Sequence, residues 1–137
     1  MSVDCFLDTN VLVYAATGTK AERAKREKAQ ALIASENFGL STQVLQEFYV
    51  TATRKARIKM PPNIALEWME QLDGRPCVII DPDIVKLAAA ISIRYQVSYW
   101  DGAILAAAET LGAGVVYSED LQHKQKYRTL RIENPFH

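Results

Sequence analysis

The sequence predicts an α/β fold: a mainly parallel sheet with helices packed on both faces. Two observations carry that expectation. Short apolar runs of strand length alternate along the chain with longer segments of helical character, the pattern of repeated strand–helix–strand units. Acidic residues also follow or adjoin several of those runs, and in open α/β sheets ligands gather at the strand carboxyl ends. Right-handed crossovers would bring successive strand ends to one edge.

In chain order, residues 4–7 read as the first strand, and residues 11–35 hold a helix or helix pair. Residues 38–41 read as the second strand. A helix over 43–55 follows, with Val44, Phe48 and Ala52 forming an i, i+4, i+8 apolar stripe. Pro61-Pro62 introduce a helix over 63–72, and the apolar run at 77–80 is a strand. A helix over 82–95, a short strand near 97–99 and a small-residue helix over 102–111 come next. Residues 115–117 form a further strand, and a final short one lies near 130–132. Repeats, low-complexity segments and linkers are absent from the sequence, so all 137 residues are expected to form one domain.

A chain of 137 residues buries roughly 68% of its unfolded surface, enough for a core without a disulfide or structural metal. Cys5 and Cys77 lie in apolar runs and form no CxxC pair, so both are expected to be small core residues of a reducing compartment. The N-terminus runs straight into a strand, and nothing approaches the ~20 apolar residues of a membrane span. A cytosolic protein without a membrane partner is expected. Sixteen Lys and Arg against sixteen Asp and Glu give zero formal net charge, which argues against binding nucleic acid through an overall positive field. The basic residues are nevertheless clustered, at Lys20-Arg23-Lys25-Arg26-Lys28, Arg54-Lys55-Arg57-Lys59 and Lys124-Lys126-Arg128-Arg131. They are either solvated faces or a broken basic rim that holds a phosphate backbone around an acidic centre.

Four acids stand at four separated junctions. Asp8 follows the first strand, and Asn10 is positioned to cap the helix beginning at Val11. Glu47 lies on the row beside Val44, at the margin of a buried face, where a carboxylate reaches solvent or meets a cation. Asp101 precedes the small-residue segment 102–108 and suits an N-cap. Asp120 follows the strand ending at Tyr117, with Glu119 beside it as a second candidate and Ser118 able to hold a carboxylate or water. If these acids converge, their charge needs protons or a divalent cation, and an all-oxygen donor set suits Mg²⁺ or Mn²⁺. His123 and His137 read as surface residues that make no metal pair. Tyr14, Phe48 and Tyr49 lie near the first two acids, where part of a groove could be apolar.

The segments around these acids, 6–15, Glu47, Asp101 with Ala106-Ala107-Ala108, and 117–121, resemble those of a PIN domain. The resemblance extends from Phe6 to the terminal 133–136 segment and is nearest to the VapC toxin ribonucleases of type II toxin–antitoxin modules. It implies a three-layer α/β/α sandwich, an Mg²⁺- or Mn²⁺-dependent RNA endonuclease leaving 5′-phosphate and 3′-hydroxyl ends, a homodimer, and inhibition by a cognate antitoxin. Asp8, Glu47, Asp101 and Asp120 match the family's acidic positions, and Asn10 matches its polar residue after the first aspartate. Ser118 stands for the commoner threonine and keeps the hydroxyl, whereas Glu119 replaces an often neutral residue and leaves the last ligand open between itself and Asp120.

Phosphodiester hydrolysis needs a deprotonated water and stabilised charge on the phosphoryl and leaving oxygens, which one or two divalent ions supply without a side-chain nucleophile. On this reading Asp8, Asp101 and Asp120 hold the principal ion, Glu47 completes its shell or a second site, and Asn10 and Ser118 orient carboxylates or water from behind. A structure-specific or DNA-acting nuclease of the same superfold is an alternative, as is a catalytically inert partner-binding module. A phospho-acceptor receiver would need a lysine after its last core strand, where this chain has Ser118-Glu119-Asp120.

Overall fold

Parallel pairing around a central first strand organises the molecule, in a computed structural model that describes residues 2–137. Strand β1 (Cys5–Leu7) is buried throughout and pairs in parallel with β2 (Phe38–Ser41) on one side and β4 (Val115–Tyr117) on the other. Outside β2 lies β3 (Cys77–Val78), and outside β4 lies β6 (Leu130–Glu133), both parallel. The edge is β5 (Lys126–Tyr127), antiparallel to β6, giving the order β3-β2-β1-β4-β6-β5. The apolar strands read as continuous rather than alternating because helices cover both faces of such a sheet.

Among the described residues, six α-helices complete the α/β fold: α1 (Thr9–Thr17), α2 (Arg23–Ser35), α3 (Thr42–Val50), α4 (Pro62–Gln71), α5 (Pro82–Tyr95) and α6 (Tyr99–Thr110). Helices α5 and α6 pack tightly on each other, as do α1 and α2, while α3 contacts α1. Phe6, Phe38, Phe48, Leu7, Leu12, Leu40, Ile91 and Leu105 are fully buried between sheet and helices. Among the described residues, no helix is long and apolar enough to cross a membrane.

Several local expectations are corrected. The segment 97–99 is not a strand. Gln96 adopts a left-handed conformation (φ 55°, ψ 44°) that ends α5, and Ser98 caps α6 by accepting the Asp101 backbone N–H at 3.0 Å. Asp101 therefore lies in the first turn of α6 and is not its cap. At α1 the cap is Asp8, whose side chain accepts the Thr9 N–H, so Asn10 lies within the helix. The helix expected over 43–55 becomes π-helical from Thr51 to Lys55. Cys5 is buried as expected, but Cys77 is exposed, because its two-residue strand lies on the sheet edge; both are free thiols.

Candidate active site

The carboxyl ends of β1 and β4 bring Asp8 and the 118–120 segment together. Asp8 follows Leu7, and its backbone N–H donates to the Tyr117 carbonyl at 3.0 Å, carrying the β1–β4 pairing one step past the strands. Its Oδ1 accepts from the Thr9 N–H at 2.7 Å and its Oδ2 from the Ser118 hydroxyl at 2.8 Å. Ser118 is itself fully buried and accepts the Asp120 and Leu121 backbone N–H groups at 3.1 and 3.3 Å. The serine thus serves both as donor to Asp8 and as the pivot of the turn that presents Asp120. Asn10 clamps the same turn: Nδ2 donates to Asp120 Oδ2 at 3.1 Å, and Oδ1 accepts the Glu119 N–H at 3.1 Å.

Glu47 reaches the site from α3. Its Oε1 accepts from the Thr9 hydroxyl at 3.0 Å, while Val44 and Phe48 on the same helix are fully buried. Half-buried Glu47 thus occupies the margin of the apolar face, as the periodicity indicated. Asp101 enters from the first turn of α6. All four acids line one open cleft of about 570 Å³, together with Thr9, Asn10 and Tyr14.

Burial favours the protonated form of Asp8 and Asp101. The Asp8 carboxyl is pushed up to about 6, first by burial and then by the charges of Asp120 and Glu47, against the lowering effect of the Ser118 and Thr9 hydrogen bonds. Asp101 is also raised, by burial and by Asp120, with its Ser98 hydrogen bond opposing. A positive charge among these groups would relieve the same penalties.

The donor set is all carboxylate and hydroxyl oxygen, which fits a hard divalent cation. Among the described residues, however, no three acidic, histidine or cysteine side chains close into a metal cage. Three of the four carboxylates instead hold a neutral donor: Ser118 on Asp8, Thr9 on Glu47 and Asn10 on Asp120. The fit is thus one of chemistry and shared cleft, with side chains that need rotamer adjustment to meet on a single ion.

Glu119 lines the cleft but is engaged elsewhere. It accepts from the Tyr14 hydroxyl at 2.8 Å and from Lys25 Nζ at 2.6 Å, and Lys25 lies 4.8 Å from the Tyr14 ring centre. Phe136 meets Tyr14 edge-on at 4.9 Å. Of the other aromatics considered, Phe48 is core and Tyr49 is on the surface away from the cleft lining. Of the basic runs, the middle one contributes Lys55 and Arg57 to the lining. Arg23, Lys25, Arg128 and Arg131 in the outer two are committed to Glu27, Glu119, Glu109 and Glu133. His123 and His137 stack on each other at 4.2 Å, so His123 is half-buried and not fully a surface residue. Sequence reasoning missed Thr9, Gln43 and Trp100 as cleft residues. Thr9 was legible between Asp8 and Asn10; the other two depend on how α3 meets α6.

The family model of the PIN domain matches residues 5–128. The chain belongs to the PIN domain family. No curated protein matches the chain. Among solved structures, the toxin–antitoxin complex from Klebsiella pneumoniae is similar at TM-score 0.69 and 19% identity, covering 97% of this chain and 98% of that one. VapC20 of Mycobacterium tuberculosis, described as a sarcin–ricin loop cleaving toxin, gives TM-score 0.67 and 20% identity over 85% of this chain and 90% of its own. DNA-bound VapBC from Salmonella typhimurium gives 0.63 and 20%, over 97% of this chain and 98% of that one. At these identities the likeness is one of PIN fold.

Proposed function

We propose that this PIN domain is a divalent-metal-dependent endoribonuclease, the toxin of a toxin–antitoxin module. The observation that carries the reading is the convergence of Asp8, Glu47, Asp101 and Asp120, from four separated segments, on one cleft. The similar structures support the toxin assignment, since they include toxin–antitoxin complexes and a toxin that cleaves the sarcin–ricin loop. An antitoxin partner, a homodimer and a cytoplasmic setting belong to the same proposal.

In this reading Asp8, Asp101 and Asp120 hold the principal Mg²⁺ or Mn²⁺ and Glu47 completes its shell or a second site. A bound ion would supply charge neutralisation at the phosphoryl group and would make a coordinated water easier to deprotonate. Ser118 and Thr9 fix the two oxygens of Asp8, Thr9 also steadies Glu47, and Asn10 sets the position of Asp120. Ligand orientation from behind is a large part of such a site's affinity. Asp120 is preferred to Glu119 as the last ligand, because Glu119 is neutralised by Lys25 and bonded to Tyr14.

Asp101→Asn is the decisive variant. Ser98, not Asp101, caps α6, so the substitution leaves the helix start intact and removes only a charged oxygen donor. Cleavage of single-stranded RNA in Mn²⁺ should fall about a hundredfold or more, on the order of 3 kcal/mol. A variant that keeps more than about a tenth of the wild-type rate would remove Asp101 from the ligand set. Wild-type protein that cuts structured DNA in preference to RNA would instead favour the DNA-acting alternative.

A further inference from the structure

We propose that Trp100 is a stacking platform for one unpaired base of the nucleic-acid strand, with Lys55 and Arg57 holding backbone phosphates in the same cleft. The inference rests on the nuclease reading and adds the recognition of the strand.

Trp100 directly precedes Asp101 in the first turn of α6, lines the acidic cleft, and is 64% exposed. Few large aromatic surfaces are left open in this molecule, and this one adjoins the acids. Its backbone is held and its ring has an aromatic neighbour. Tyr99 meets the indole edge-on at 5.0 Å, and Gln43 Nε2 donates to the Trp100 carbonyl at 3.2 Å. A pre-positioned aromatic surface loses little freedom when a base stacks on it, and stacking tolerates every base because each has a π-face.

Two further features of the cleft suit a nucleotide. Gln43, itself only 6% exposed, has an Oε1 acceptor that finds no donor among the described residues. A buried acceptor of this kind is costly until a partner donates to it, and ribose hydroxyls and base amines are donors. Lys55 ends the π-helical turn and Arg57 follows it; both line the cleft, are exposed, and form no ion pair among the described residues. The zero net charge makes these local cations the available source of phosphate attraction within an acidic cleft. Because a base on Trp100 must leave its own helix, the arrangement selects single strands and loops over duplex.

Fluorescence titration tests this without any cleavage readout. Wild-type protein in chelator is titrated with a mixed-sequence single-stranded oligoribonucleotide and with the same sequence as a duplex. Single strand should quench tryptophan emission and bind at least about tenfold more tightly than duplex. Trp100→Ala should weaken single-strand binding about tenfold or more. Trp100→Phe should restore most of the affinity while losing the quench, since Trp68 is then the remaining indole and packs, half-buried, on Phe48 outside the cleft lining. Lys55→Ala and Arg57→Ala should each lower the slope of log affinity against log salt by about 0.7. Single-strand affinity of Trp100→Ala within twofold of wild type, equal quenching by duplex, or no binding by wild type would each overturn the platform. RNA cleavage in Mn²⁺, measured separately, would then still uphold the nuclease; conversely, binding without any cleavage would sink the nuclease and keep the platform.

Discussion

Burial raises the Asp8 carboxyl to about 6, so this residue links stability to pH with a sign opposite to that of a salt-bridged aspartate. The unfolded chain titrates near the ordinary 3.8. Between those values the folded protein retains a proton that the unfolded chain has lost. Stability from Asp8 is therefore fully present below about 4, falls as pH rises toward 6, and is gone above it, a change on the order of 3 kcal/mol. In chelator, urea unfolding of wild type should lose stability relative to Asp8→Asn over that window, because the variant has no proton to release. A difference between the two that is flat from pH 4 to 7 would mean that Asp8 is not held in the buried environment described. Asp8 was legible as a candidate site residue from its place after an apolar run. Its role as the α1 cap was not, since Asp8 and Asn10 are equally good caps and tertiary placement decides between them.

At the scale of elements, the α5–α6 contact fixes where Asp101 and Trp100 sit. A methyl group at Gly102 would lie 2.5 Å from the Ala88 carbonyl oxygen, a backbone atom that cannot rotate away. Alanine is normally the better helix former by about 1 kcal/mol, so helix propensity alone predicts that Gly102→Ala stabilises. The close approach predicts the reverse, a loss of about 1–3 kcal/mol in chemical denaturation together with reduced activity from a displaced α6 start. Gly114→Ala, where a methyl meets nothing within 4 Å, is the control and should be near neutral. The strands Phe38–Ser41 and Val115–Tyr117 and the helix Pro82–Tyr95 were readable to the residue, because each is a clear apolar or amphipathic run with a sharp boundary. The 97–99 segment misled because Val97 and Tyr99 have strand-forming side chains, while the left-handed Gln96 and the Ser98 cap leave no room for a strand between α5 and α6. The two-residue β5 is too short to produce any periodicity.

For the whole molecule, the test is whether the four carboxylates share an ion. Without divalent cation, Asp101→Asn should melt higher than wild type, since it removes one charge from a mutually repelling set. Mn²⁺ at a hundredfold excess over its Kd should stabilise wild type by about 2.7 kcal/mol and the variant far less, so the order of melting temperatures should cross. Parallel shifts in the two proteins would mean that no ion is shared. The meeting of Asp8 with the 118–120 turn was foreseeable from strand ends, but the approach of Glu47 and Asp101 from α3 and α6 was not, and neither was the neutral donor each of Asp8, Glu47 and Asp120 would find, because Thr9, Asn10 and Ser118 all carry suitable groups.

The short outer strands shape how other chains can attach. Both β3 and β5 are two residues long, so each rim of the sheet offers an incoming peptide very few backbone donors and acceptors. Association by strand addition, and the fibrous self-assembly it can seed, is thereby disfavoured at either end. A second protein must instead be recognised through side chains on the helices and along the cleft, which makes partner choice a matter of shape and charge rather than of generic backbone pairing.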